Sequence, residues 1–166
     1  MKTLYIHRHA KSSWANRNQR DFDRPLNDRG LRDIPFMAKK FVEREKSVDG
    51  LVSSPAKRAQ TTAEIFAQEL GKPITDIGLD NRIYEAQVTD LSSVVEALDD
   101  NWNSAVVFGH NPGLSSLVGY YSNEHVDMPT CAIAKLTFDI DSWQEAFAGT
   151  GFLEYLDFPK NYAELR

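Results

Sequence analysis

Ala105-Val106-Val107-Phe108 is an uninterrupted apolar run, closed by the turn-forming stretch Gly109-His110-Asn111-Pro112-Gly113. A run this short, β-branched and bounded by turn residues reads as a central strand buried on both faces. Leu4-Tyr5-Ile6-His7 and Gly50-Leu51-Val52-Ser53 have the same character and predict two more strands. Between them the period changes. Leu31, Ile34, Ala38, Phe41 and Val42 recur at helical spacing after a cap at Asn27 or Asp28, with Pro35 expected on the solvent side. Ala59, Ala63, Phe66 and Leu70 make a second stripe, with Ser54 as its N-cap, Pro55 at the first helical position and Gly71 as its end. Leu91, Val94, Val95 and Leu98 make a third, capped by Thr89 or Asp90, and Leu114 to Tyr121 a fourth. Ile133–Phe138 and Gly151–Phe158 read as later strands at an antiparallel edge, while 15–27 and 122–130 read as loops. Strands alternating with helices predict an α/β, three-layer sandwich: a mostly parallel sheet with helices on both faces. The expected organisation is one domain over residues 1–166.

The bulk properties agree. The 166 residues are 42% hydrophobic and 26% charged, which excludes wholesale disorder, collagen and coiled coil. A net charge of −5 disfavours a nucleic-acid partner. Cys131 is the only cysteine, so no intrachain disulfide can form, as expected in a reducing cytoplasm. The N-terminus lacks the apolar run of a signal peptide, and no stretch approaches the roughly 18 residues of a membrane span. The expected localisation is cytoplasmic, with no membrane partner.

In parallel α/β sheets, chemistry collects beyond the carboxyl ends of the strands. The first strand runs into Arg8-His9, the second into Ser53-Ser54-Pro55 with Arg58 close behind, and the central one into Gly109-His110. Singly, each of these is more often a solvated loop or helix residue. Together, two histidines and two arginines at three strand ends of one edge point to a phosphoryl site. Forked guanidinium groups can donate in pairs to phosphoryl oxygens. A histidine among arginines should have a lowered pKa, leaving it neutral and nucleophilic.

Leu4-Tyr5-Ile6-His7-Arg8-His9-Ala10-Lys11-Ser12-Ser13-Trp14 resembles the opening motif of the histidine phosphatase superfamily, in the Arg-His-Ala form rather than the commoner Arg-His-Gly. Arg24-Pro25-Leu26-Asn27-Asp28-Arg29-Gly30, then Ser53-Ser54-Pro55-Ala56-Lys57-Arg58-Ala59-Gln60-Thr61-Thr62, then Gly109-His110-Asn111-Pro112-Gly113 match in order. The resemblance is nearest to small SixA-like phosphohistidine phosphatases. It implies that His9 is the nucleophile and becomes phosphorylated. It implies that Arg8 and Arg58 bind phosphoryl oxygens and that His110 stabilises the transferring group. Lys11 and Ser12 would line the pocket mouth, with solvated loop positions as the equal alternative. No metal and no cofactor are needed, and phosphate, sulfate or vanadate would act as inhibitory anions.

Two positions depart from the pattern. Relatives with Arg-His-Gly place an Asn soon after the tryptophan, whereas here Ala15 follows Trp14 and Asn16 comes one place late. Relatives acting on sugar or glycerate phosphates carry a mid-chain Glu as general acid. Here Glu85 is the candidate and Asp80 the weaker one, each against a reading as a solvated carboxylate. An alcohol leaving group needs an acid worth about 10²–10⁴ in rate. An imidazole, with a pKa near ~6.5, leaves without one. A phosphohistidine on a protein is therefore the favoured substrate, with a small phosphoester as the alternative. Three other readings compete: a metal site at His7 and His9, a non-catalytic phospho-ligand module, and a Cys131 nucleophile. The first suffers from the flanking arginines, the second from the presence of both histidines. The third lacks an arginine at the needed spacing, because Leu136 and Thr137 stand there. Trp14, Trp102 and Trp143 read as packing residues, Trp14 being the one near the site.

Overall fold

Seven residues, Lys2–Arg8, with Leu4 to His7 buried in succession, form strand β1 in the computed structural model, which describes residues 1–166. The chain continues through α1 (Asp28–Glu45), β2 (Gly50–Ser53), α2 (Lys57–Leu70), β3 (Ile77–Leu79) and α3 (Val88–Glu96). It ends with β4 (Ser104–Gly109), α4 (Gly113–Ser122), β5 (Ile133–Phe138) and β6 (Gly151–Asp157). The strands make one six-stranded sheet in the order β3-β2-β4-β1-β5-β6. The first four of that order are parallel, and β5 and β6 are antiparallel additions at one edge. The three-residue edge strand β3 was not expected from the sequence.

Alternation along the inner strands divides the core in two. Leu4, Ile6, Ala105 and Val107 pack with Leu91, Val94 and Val95 of α3 and with Leu114, Leu117 and Val118 of α4. Tyr5, Val106 and Phe108 face the other way, onto Ile34, Met37 and Phe41 of α1 and Ala63, Phe66 and Ala67 of α2. The two clusters are the two faces of a three-layer sandwich, as the periodicities predict.

Four local expectations are corrected. Asn27 caps α1, accepting from the Gly30 amide at 2.9 Å, but Leu31 is 49% exposed. The buried stripe instead runs Gly30, Ile34, Met37, Ala38 and Phe41, because Gly30 is the position that meets the backbone of the loop after β1. Ser54 does not cap α2. The helix starts at Lys57 behind Ala56, and the Ser54 hydroxyl accepts from the Ala56 amide in a turn that leads the chain away from the sheet. In α3 the N-cap is Gln87, and Asp90 reaches back to its amide at 2.9 Å from the third helical position. Trp143 is fully buried, whereas Trp14 is 71% exposed. Trp14 lies outside the core, with the Arg24 guanidinium stacked on its ring at 3.3 Å.

A Cβ on Gly30 would stand 2.2 Å from the Lys11 carbonyl oxygen. That atom also accepts from the Asn27 amide, so it cannot retreat. Gly30→Ala should lower unfolding free energy by about 1–3 kcal/mol in a denaturant titration. An unchanged midpoint would show that the loop after β1 adapts freely.

Candidate active site

Register brings the site together. Arg8 of β1 lies beside Gly109 of β4, and Ser53 of β2 lies beside Phe108. The next residues on each strand, His9, Ser54 and His110, therefore leave the sheet at one edge. Two further ladder bonds hold them there, His9 amide to Gly109 carbonyl and Ser54 amide to Phe108 carbonyl, both 3.0 Å.

His9 is 6% exposed. Its Nδ1 is 2.7 Å from the Ala10 carbonyl oxygen. A carbonyl can only accept, so this bond places the proton of the neutral ring on Nδ1 and leaves the lone pair on Nε2. The His110 ring lies 5.2 Å away, centroid to centroid. Its Nε2 is 2.8 Å from Ser54 Oγ, and its buried Nδ1 has no partner in the protein.

Burial pushes the His9 pKa down to about 3, with smaller contributions from His110, Arg58 and Arg8, against an opposing contribution from the Ala10 bond. His110 falls to about 4, again through burial first and Arg58 next. The expectation of neutral imidazoles is met, but the main cause is desolvation rather than the arginines.

Arg8 donates to the Met128 carbonyl at 2.9 Å, and its buried Nε is unpartnered. Arg58 reaches across from the first turn of α2 and is held by Asp21. One guanidinium nitrogen donates to the Asp21 carbonyl at 2.7 Å and the other to its carboxylate at 3.0 Å. Asp21 also accepts from Arg24 at 3.0 Å and from the Tyr84 hydroxyl at 2.7 Å. Burial alone would raise the Asp21 pKa, but the donors Tyr84, Arg24 and Arg58 bring it down to about 2. The Tyr84 hydroxyl is raised to about 12 by burial and by that same bond. Tyr84 stands edge-on to His110 at 5.6 Å and to Phe22 at 5.2 Å.

The two segments that read only as loops supply several of these contacts. Asp21 and Phe22 belong to a single 3-10 turn, Asp21–Asp23, in the first loop. Met128 in the second is fixed by Ser115 and Asn111. Gly113 lets the Tyr84 loop approach α4, since a Cβ there would meet the Ala86 carbonyl oxygen at 2.7 Å. Sequence reasoning missed Asp21, Tyr84 and the Ser54 hydroxyl as site residues. For Asp21 the one signal was an acidic residue three places before Arg24, in the loop after His9.

The remaining candidates are spread outward. Ser12 is buried and its hydroxyl accepts from Arg24, so it stands behind the pocket rather than at its mouth. Lys11 is half-buried and Asn16 exposed, the latter closing a turn with Asn18. Glu85 is exposed with φ of 54°, a left-handed conformation that costs a non-glycine residue about 1 kcal/mol or more. Asp80 is clamped by Arg82 at 2.7 Å and its pKa is lowered by those bonds, which suits an anion and not an acid. His7 is fully buried against Phe66 and Phe108, with Nδ1 on the Arg8 carbonyl. No three His, Cys, Asp or Glu side chains converge as a metal-ligating group. Cys131 is buried, and burial raises its thiol pKa.

A family model described as the histidine phosphatase superfamily (branch 1) matches residues 4–103. The chain belongs to the histidine phosphatase superfamily. The matched segment stops short of His110, which the fold nevertheless sets beside His9. An uncharacterized chloroplastic protein of Arabidopsis thaliana is 28% identical over 158 residues, covering 90% of this chain and 72% of its own. Among solved structures, SixA of Agrobacterium tumefaciens, a candidate phosphohistidine phosphatase, superposes with a TM-score of 0.81 at 25% identity, covering 95% of this chain and 98% of the other. A protein histidine phosphatase SixA complexed with tungstate superposes with a TM-score of 0.83 at 23% identity, covering 96% and 98%. This superfamily member thus has the α/β sandwich of SixA-like structures over nearly its whole length.

Proposed function

We propose that this protein is a metal-independent phosphatase, one domain over residues 1–166, that passes the phosphoryl group of a protein phosphohistidine through His9 to water. The observation that carries the reading is the His9–Ala10 bond. It holds a neutral imidazole with its Nε2 lone pair free among Arg8, Arg58 and His110. In the first step Nε2 attacks phosphorus and the phosphorus–nitrogen bond of the substrate breaks. Arg8 and Arg58 balance the charge on the phosphoryl oxygens, and with Ser54 donating to Nε2, His110 offers its Nδ1 proton to one of them. In the second step water attacks phosphorus, the Nε2–phosphorus bond breaks and His9 leaves with its Nδ1 proton still on the Ala10 carbonyl, while the water's protons depart on the released phosphate. Tungstate in the related SixA is a tetrahedral oxyanion, and phosphate, sulfate and vanadate should occupy this pocket.

The substrate class follows from the leaving group. Asp80 is committed to Arg82, and Glu85 makes no hydrogen bond or ion pair that would hold it over the pocket. A site with no fixed acid suits a group that departs without a proton delivered to the departing atom, and an imidazole protonated on its far nitrogen is such a group. A second reading, a small phosphomonoester phosphatase, draws on the strained backbone of Glu85 beside Tyr84. The deciding experiment is hydrolysis of a histidine-phosphorylated protein, an alkyl phosphate and an aryl phosphate, each with and without chelator. Phosphohistidine should turn over fastest and chelator should not matter. Fast alkyl phosphate hydrolysis with none of phosphohistidine would move the protein to the second reading, and loss in chelator would overturn metal independence. The location proposed with it is the cytoplasm, which a single cysteine, Cys131, suits; no helix is long and apolar enough to cross a membrane.

Glu85→Gln separates the two readings further. On the phosphohistidine reading all three substrates keep their rates within about twofold, because an exposed, unpaired side chain contributes little. Selective loss on the alkyl phosphate, by the ~10²-fold or more of a general acid, would make Glu85 that acid.

A further inference from the structure

We infer that Asp21 is the leaving-group residue of this site: its carboxylate accepts the N–H of the substrate's phosphoimidazole ring, on the nitrogen that does not carry phosphorus. The inference rests on the phosphohistidine reading and assigns a residue to it.

The chemistry sets the need. When the phosphorus–nitrogen bond breaks, its electron pair returns to the ring nitrogen. If the far nitrogen carries a proton, the ring departs as neutral imidazole. If it does not, the ring must leave as an imidazolate, a far poorer leaving group. The far nitrogen loses its proton near the ordinary imidazole pKa of about 6.5, so at neutral pH an acceptor that retains the proton speeds departure. The enzyme's own nucleophile has such an acceptor in the Ala10 carbonyl, 2.7 Å from His9 Nδ1. The substrate ring needs the equivalent.

Asp21 meets the requirements of place, charge and shape. It touches Arg58 directly, so it adjoins the phosphoryl oxygens. Its side chain is 45% exposed, open to an incoming ring. One carboxylate oxygen accepts from Arg58 and Tyr84, while the other accepts only from Arg24 and has lone-pair capacity left. Tyr84, bonded to Asp21 through its hydroxyl, stands beside it as an aromatic surface that an imidazolium can approach. The groups facing Asp21 are Arg24 from its own loop, Arg58 from α2 and Tyr84 from the loop before α3, with His110 of the β4 edge behind Tyr84. Arg20 pairs with Asp23 and lies over the Phe22 ring, 5.8 Å from its centroid, and Glu85 follows Tyr84 in the chain, exposed. The donors hold Asp21 ionised across the working pH range.

The test compares Asp21→Asn with wild type on phosphoimidazole and on p-nitrophenyl phosphate, whose phenolate leaves without a proton. Both rates should fall, because Asp21 also steadies Arg58. The ratio of kcat/KM, phosphoimidazole over aryl phosphate, should fall by about tenfold or more, since a charge-assisted contact is lost on one substrate alone. The alkaline limb of kcat on phosphoimidazole should move toward about pH 6.5, where the unassisted ring loses its proton. Asp21→Glu should restore part of the ratio. An unchanged ratio with an unmoved limb would reduce Asp21 to a support for Arg58 and overturn the inference while leaving the phosphohistidine reading intact. Failure of the wild type on phosphoimidazole, with aryl phosphate still hydrolysed, would overturn both.

Discussion

His9→Ala should abolish turnover on every substrate and leave a folded protein. The side chain lies at the end of β1, and the bonds that place the segment are backbone bonds, His9 amide to Gly109 and His9 carbonyl to the Cys131 amide, which alanine keeps. Only the Ala10 carbonyl loses a partner, a cost of about 1 kcal/mol or less with water able to replace it. The chemistry has no substitute nucleophile, because His110 has its Nε2 on Ser54 and Cys131 is buried with a raised pKa. Rapid quench with radiolabelled substrate should trap acid-labile phosphate on the wild type and none on the variant. Turnover by a folded His9→Ala protein, or acid-stable label on the wild type, would end the proposed mechanism.

Arg58→Ala should weaken competitive inhibition by vanadate or phosphate by about 3 kcal/mol, a hundredfold or more in Ki. Two effects add. The variant loses a charge-assisted donor fork that is 7% exposed, where water screens little. It also uncovers Asp21, whose ionised carboxylate then faces the anion without its guanidinium partner. The double variant Arg58→Ala, Asp21→Asn separates these, and it should recover part of the loss. An inhibition constant within about twofold of wild type in the single variant would place the anion elsewhere.

How much of this was legible depended on whether the signal is local. The strand runs Leu4–His7 and Ala105–Phe108 were readable because a buried parallel strand needs apolar side chains on both faces. The α1 cap was readable because an Asn before a helix can accept from its first turn, and Asn27 does. Ser54 shows the limit. Its sequence is that of an N-cap followed by proline, yet its hydroxyl meets His110, 56 positions away, at 2.8 Å. Local propensity contributes about 1 kcal/mol to such a choice, and a long-range bond of the same size can redirect it.

By itself, the sequence determined the α/β layering and the carboxyl-edge placement of Arg8, His9, Arg58 and His110. Both follow from periodicity and from the rule that parallel strands end at one edge. Only the tertiary structure decided which ring nitrogen of His9 is free, because that depends on where the Ala10 carbonyl points. Tertiary structure alone also revealed Asp21, which is an ordinary charged loop residue until folding brings Arg58 and Tyr84, 37 and 63 positions along the chain, onto one carboxylate. Residues at strand ends inherit their positions from the sheet, whereas a loop carboxylate gains its role only from partners that packing delivers.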